Sequence, residues 1–158
     1  MIRRIELSEI EECLAVMHRS FETVAKEFGI TQENCPTHTS FMKAERLYRQ
    51  FNEGRLMYAY IEEQKIIGYF SLAQRSEHQY ELTNLAVLPE YRHKGIGKAM
   101  ISFAVNEARK RGCYKINLQI IEENTRLKTW YQALGFSHIG TQKYEHLPFT
   151  VGLMEICL

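Results

Sequence analysis

The chain predicts an α/β (α+β) fold, in which a mixed, mostly antiparallel sheet of about seven strands carries a central βαβ unit and is flanked by about four helices. Three observations predict it. Apolar residues at helical spacing open the chain. Runs rich in aromatic and β-branched residues, separated by short polar turns, follow. One later stretch then changes from strand period to helix period and back. With 158 residues, 45% of them hydrophobic and 25% charged, the composition is that of one globular domain spanning 1–158 with a sizeable core.

Residues 1–7 alternate polar and apolar side chains and read as a strand. Ser8 with Glu11 forms a capping box ahead of a helical stripe of Ile10, Leu14, Met17, Phe21, Val24 and Phe28. Gly29 stops that helix. A polar connection over 31–39 leads to a shorter helix carrying Phe41, Leu47, Tyr48 and Phe51, closed by Gly54. Strands over 56–61 and 66–73 flank the polar turn 62–65 in a hairpin pattern, and a third strand over 79–88 ends at Pro89. The period then changes. Ile96, Met100, Phe103 and Ala104 describe a helix running to Gly112, whose last cations, Arg109, Lys110 and Arg111, complement its dipole. A strand over 115–121, a helix over 124–134 ended by Gly135, and a hairpin of 136–144 with 149–157 complete the chain. The strand at 79–88, the helix at 95–111 and the strand at 115–121 form the βαβ unit, which makes an otherwise hairpin-linked sheet mixed.

Twenty Lys and Arg against nineteen Asp and Glu leave a net charge of +1, so no global field draws the protein to nucleic acid or to an anionic membrane. Any anion recognition is local. The N-terminal residues lack the apolar core and cleavage site of a signal peptide, and no apolar run approaches a membrane span. Cys13, Cys35, Cys113 and Cys157 never fall at C-x-x-C spacing, which argues against structural zinc and against a disulfide framework; a reducing cytoplasm fits. Cys35 lies in a polar stretch and reads either as a reactive thiol or, with no base placed beside it, as an incidental cysteine.

The chemistry-bearing stretch is 85–98, where a strand runs through a basic, glycine-containing turn into a helix. Free N–H groups of a first helical turn, glycines that admit an anion close to the backbone, and the charges of Arg92, Lys94 and Lys98 are what a phosphate site needs. The alternative is an ordinary turn whose glycines serve packing. A P-loop is excluded, because the glycines stand two apart and Lys98 is followed by Ala99. A dinucleotide fingerprint would need glycine where Met100 stands, and the N-terminal elements do not supply its parallel β-α-β start.

What remains, Arg92-x-x-Gly95-x-Gly97, resembles the acyl-CoA pyrophosphate loop of the GNAT superfamily of N-acyltransferases, whose pattern is Q/R-x-x-G-x-G/A. Asn124, Leu127, Tyr131, Gly135 and Phe136 resemble that family's second signature, and the order of elements follows the family along nearly the whole chain. The resemblance implies acetyl-CoA as acyl-donor substrate, bound in a gap between the strands at 79–88 and 115–121, and no metal. It implies backbone contacts from Leu85, Ala86 and Val87 to pantetheine and thioester, and a pyrophosphate site formed by Arg92, His93, Lys94, Gly95, Ile96, Gly97 and Lys98. Asn124 reads as a helix cap from its residue type and as a pantetheine ligand from its place in the signature.

Acyl transfer to an amine needs a base, an oxyanion donor and a proton for the leaving thiol. Glu81 is the candidate base, sharing a face with Thr83, Leu85 and Val87 by the strand period of two; the competing reading is a surface glutamate, with His78 and Tyr80 as substitutes. The Val87 N–H is the oxyanion donor. Tyr131, seven residues after Asn124 on the same helical face, is the proton donor to sulfur or a core tyrosine beside Trp130. No motif supplies a nucleophile, so direct transfer in a ternary complex is expected. The resemblance places the amine acceptor, a small molecule or a peptide, between 30–40 and 144–149. There Phe41, Tyr48, Tyr144 and Phe149 offer walls, and Glu33 and Glu145 could attract a cation. A homodimer is compatible with it; nucleic acid and membrane are not expected partners. A catalytically silent acyl-CoA-binding module fits the cofactor loop equally well, whereas nucleic-acid binding rests only on residues 92–98 and 109–111.

Overall fold

The computed structural model describes residues 1–158 and forms one seven-stranded sheet with four helices. In chain order the elements are β1 (Ile2–Arg4), α1 (Ile10–Glu27), α2 (Ala44–Asn52), β2 (Leu56–Glu62), β3 (Lys65–Ser76), β4 (Gln79–Val87), α3 (Ile96–Lys110), β5 (Lys115–Ile121), α4 (Thr125–Ala133), β6 (Ser137–Lys143) and β7 (Thr150–Cys157). The strands lie in the order β1-β2-β3-β4-β5-β7-β6. All pairings are antiparallel except β4 with β5, the parallel pair of the expected βαβ unit.

Local chemistry explains the boundaries. The turn between β2 and β3 places Glu63 and Gln64 at φ of 48° and 64°, the left-handed pair that lets a two-residue hairpin match the strand twist. At the N-terminus the expected strand is shorter and the expected cap is displaced. Leu7–Glu9 forms a 3₁₀ turn, the Glu6 N–H donates to Glu9 Oε1 at 2.7 Å, and Arg3 holds the same carboxylate through two 2.9 Å bonds. Three donors on Glu9 win over the Ser8–Glu11 pair that local pattern suggests. Phe41 likewise lies in a 3₁₀ turn (Thr39–Phe41) ahead of α2 rather than on it.

The two faces of the sheet are covered differently. Tyr58, Phe70 and Phe103 of α3 pack ring on ring, and Gly68 lets Met100 of α3 sit close to the sheet, since a Cβ there would stand 3.1 Å from its sulfur. The opposite face, carrying Met57, Ala59, Tyr69 and Ser71, lies beneath α1, which packs on β3 and β4. A second, small cluster joins Ala25, Ile30, Cys35 and Ile121 with Phe41 and Phe149 at its edge. Cys35 is therefore 2% exposed and not an accessible thiol; the polar stretch folds inward because this cluster needs a small apolar group there.

Two irregularities position the site. The pairing of β3 with β4 slips between Tyr69 and Ser71, so Asn84 and Leu85 bulge opposite one β3 residue, with Asn84 at φ 56°. β5 pairs with β7 along its whole length but with β4 only where Gln79–Glu81 meets Lys115–Asn117. Beyond Glu81 the two parallel strands part.

Candidate active site

Where β4 and β5 diverge, their facing backbone groups lose their strand partners. On the β5 side of this divergence lies a cavity of about 310 Å³, lined by Phe21, Val24, Cys35 and residues 37–39 and by Gln119–Ile121, Asn124, Leu127, Leu147, Phe149 and Val151; no β4 residue, and so neither Glu81 nor Val87, is part of its lining. Of the expected acceptor walls, Phe149 lines it; Tyr48 instead reaches Glu11 at 3.5 Å, and Glu33 and Glu145 are exposed.

At the β4 exit the Leu88 N–H donates back to Ile67 O of β3 at 2.9 Å, and Ala86 is paired with Tyr69. The Val87 N–H leaves the ladder and donates to Ser20 Oγ of α1 at 3.3 Å. Among residues 85–87, Val87 is thus the one whose N–H demonstrably points off the sheet. After Pro89 the chain turns through His93 (φ 63°) and Gly95 (φ 82°), and α3 begins with no side-chain cap. The backbone N–H groups from His93 to Lys98 find no acceptor in the protein, and the Cβ that Gly95 lacks would point into open space. Consecutive free N–H groups at a helix start, alternating with left-handed residues, make a cradle for an anion. Its cations contribute unequally. Lys94 and Lys98 are exposed, with Lys94 Nζ 5.4 Å from the Tyr91 ring centroid. The Arg92 guanidinium turns inward, donating to Ser20 O at 2.9 Å and Ser20 Oγ at 3.3 Å. The Ile96 side chain belongs to the core and offers only its N–H. Gly97 has a reason besides phosphate approach, because a Cβ there would lie 3.1 Å from the Trp130 ring.

The bulge changes the face assigned to Glu81. Glu81 pairs with Ala73, Thr83 with Ser71 and Ala86 with Tyr69, so Glu81 and Thr83 share the α1 face with Ala86, while Val87 pairs with Gly68 on the α3 face. Glu81 is 7% exposed and not a surface glutamate. Its Oε2 receives Nε of Arg75 at 2.7 Å and also Nη2 of the same guanidinium, which leaves Oε1 without a partner. The two expected substitutes are placed differently from it. His78 stacks on Tyr114 at 4.5 Å with Nδ1 at 3.2 Å from Gly112 O, and Tyr80 faces the α3 side with Leu82.

Asn124 caps α4, its Oδ1 accepting from the Leu127 N–H at 3.2 Å, while also lining the cavity. Tyr131 is 5% exposed, set edge-on to Trp130 (4.9 Å) and Phe136 (5.4 Å), and burial pushes its phenol well above the ordinary tyrosine pKa. It does not line the cavity; from α4 that role falls to Leu127 and the cap. Ser20, Arg75 and His38 were not legible as site residues. Ser20 is a small polar residue inside an apolar helical stripe, and Arg75 lies at the exposed end of β3, which carries no motif. His38 lines the cavity between Phe21 and Phe41, and because Nδ1 accepts from the Ser40 N–H, its proton sits on Nε2. Burial lowers its pKa.

The splayed strands and the uncapped, basic βα turn thus stand side by side. The model of the acetyltransferase (GNAT) family matches residues 20–136, and the chain belongs to that family. It is 30% identical over 83 residues to the [ribosomal protein bS18]-alanine N-acetyltransferase of Escherichia coli (strain K12), a match covering 52% of this chain and 55% of that protein. The chain thus aligns with little more than half the length of that relative. Two solved structures share the fold: PaiA N-acetyltransferase from Thermoplasma acidophilum in complex with coenzyme A (TM-score 0.83, 21% identity, 100% of this chain and 98% of that one) and the E. coli ribosomal-protein-S18-alanine N-acetyltransferase (TM-score 0.79, 16% identity, 99% and 92%). No helix is long and apolar enough to cross a membrane, and no group of three or more His, Cys, Asp or Glu is placed to hold a metal ion.

Proposed function

We propose that the protein is an acetyl-CoA-dependent N-acetyltransferase in which an amine attacks the thioester directly within a ternary complex. One observation carries this reading: β4 and β5 part immediately after Glu81, beside a helix start whose N–H groups from His93 to Lys98 are all unpaired. A pantetheine arm has two amides that can pair with strand groups left open by the splay, much as an added strand does. Leu85 and Val87 supply such groups from β4, Asn124 lies at the cavity wall, and His93 to Lys98 receive the pyrophosphate.

In the transfer, nitrogen bonds to the carbonyl carbon and the carbon–sulfur bond breaks. The amine proton goes to Glu81 Oε1, the oxygen that Arg75 leaves free, directly or through water. The Val87 N–H exchanges its Ser20 bond for the developing oxyanion, a fixed dipole that needs no reorientation. The Tyr131 phenol, kept neutral by burial, supplies the proton that the departing thiolate needs. The acceptor is a small amine or a peptide, and the four free cysteines support a reducing compartment, the cytoplasm.

The test pairs calorimetric titration of acetyl-CoA with release of free thiol against a panel of primary amines. Saturable binding with amine-dependent thiol release is expected. Binding with no amine-dependent release would replace this reading by a catalytically silent acyl-CoA module, and absence of binding would end both.

A further inference from the structure

The face of the sheet that carries Glu81 also carries a cation with no counter-ion. Arg55, just before β2, extends across β3 and makes one side-chain hydrogen bond, Nη1 to Thr83 Oγ1 at 3.3 Å. Four of its five guanidinium N–H donors, by the side chain's inventory, have no protein partner. It is half-buried and in no ion pair, unlike Arg75 beside it, which is committed to Glu81. Arg46 and the Arg75–Glu81 pair bear on it, and since that pair is internally neutralised, Arg46 adds a second cation without a carboxylate of its own.

Of the two buried side-chain polar atoms that lack a hydrogen bond, one belongs to Tyr69, beside this arginine, and the other to Gln50, whose backbone closes the turn before it. Tyr69 is 0% exposed and its Oη makes no hydrogen bond within 3.5 Å; its nearest polar neighbour, Ser71 Oγ, is bonded to Thr83 Oγ1 at 2.6 Å and keeps a lone pair towards it. Gln50 Oε1 is unpaired on α2, and the Gln50 carbonyl accepts the Arg55 N–H at 3.1 Å. An unpartnered buried hydroxyl costs roughly 1–3 kcal/mol, and an unneutralised guanidinium adds to that, so a fold that retains both leaves a place for an oxyanion.

We propose that the acceptor is an amine that also carries a carboxylate, that Arg55 and the Tyr69 hydroxyl receive this carboxylate, and that the amine lies beside Glu81. The proposal rests on the acetyltransferase reading. It adds the acceptor's chemical class. Arg55 meets β4 at Thr83, two residues from Glu81, a separation of about 7 Å that suits an ω-amino carboxylate of about four to six carbons, or a side-chain amine of an amino acid. Arg55 and Arg46, neither in an ion pair, disfavour a polyamine, whose second ammonium would meet like charge.

The probes are 6-aminohexanoate, n-pentylamine and 1,5-diaminopentane, each titrated into the protein saturated with coenzyme A and each assayed with acetyl-CoA. The amino carboxylate should bind about 10- to 100-fold more tightly than the other two, the range of charge-assisted hydrogen bonds. In Arg55→Gln that preference should collapse towards parity, in Arg55→Lys it should be partly retained, and Arg55→Glu should favour the diamine. Tyr69→Phe should weaken the amino carboxylate selectively. Equal binding of the three probes to the parent, or an Arg55→Gln variant that keeps the preference, overturns the proposal whatever the turnover. Selective binding without acetyl transfer would instead overturn the acetyltransferase reading and leave the carboxylate site standing.

Discussion

Replacing Tyr131 by Phe separates catalysis from packing with one oxygen atom. The ring keeps its edge contacts with Trp130 and Phe136, and the hydroxyl has no hydrogen bond to lose, so stability should change by no more than about 0.5 kcal/mol. A structurally bonded hydroxyl would have cost about 0.5–1.5 kcal/mol. If the phenol protonates the leaving sulfur, turnover should fall by up to roughly 10²–10⁴-fold, equivalent to about 2.7–5.5 kcal/mol of barrier. The two scales do not overlap. The assay is single-turnover transfer from acetyl-CoA, alongside calorimetric cofactor affinity and the denaturant midpoint. Affinity and midpoint should match the parent, and the deficit should shrink with an acyl donor whose thiol is more acidic, because a better leaving group needs less protonation. Because burial raises the phenol pKa, the parent should keep its proton donor throughout the neutral range, and the variant's deficit should not vary with pH there. Parental turnover in Tyr131→Phe would leave Tyr131 as a packing residue and move the proton to water.

Glu81→Gln should preserve acetyl-CoA affinity and lower turnover most at the acidic end of the pH profile, because the fraction of free amine rises tenfold per pH unit and the base matters least where amine is already deprotonated; an unchanged profile assigns the proton to water. Gly97→Ala should lower stability by about 1–3 kcal/mol through its contact with Trp130, and Trp130→Phe should relieve that loss in the double variant. Strictly additive denaturation midpoints would refute the packing explanation. The carboxyls of Glu9, beside Arg3, and Glu122, beside Lys128 and His138, are held below the usual glutamate pKa. Their contribution is present above the unfolded value near about 4.3 and is lost as pH falls through the folded values, so the midpoint should drop below about pH 4 and drop less in Glu122→Gln.

The amino-acid sequence by itself determined the elements and their order. The period of the apolar residues after Pro89, the β-branched runs around the 62–65 turn and the basic glycine turn at 92–98 are local signals, readable wherever a residue's neighbours in sequence are its neighbours in space. The strand at 115–121 and the parallel pairing of the βαβ unit followed from the same periodicity, since a helix between two strands carries the chain back to run the second alongside the first. The displaced N-terminal cap shows where local pattern ends, since Arg3 and Glu6 converge on Glu9 only when β1 is in place.

Tertiary structure alone decided how the site residues face one another. A one-residue bulge at Asn84 and Leu85 turned Glu81 from the face of Val87 to that of Ala86, because a single slip in register exchanges the two faces of a strand. Glu81 met Arg75 across a hairpin, Val87 and Arg92 met Ser20 from a helix more than sixty residues earlier, and Arg55 met Thr83 across an intervening strand. Such contacts carry no sequence period. They arise from strand order and helix placement, which set the distance between residues far apart in the chain, and hydrogen bonding and ion pairing depend on that distance.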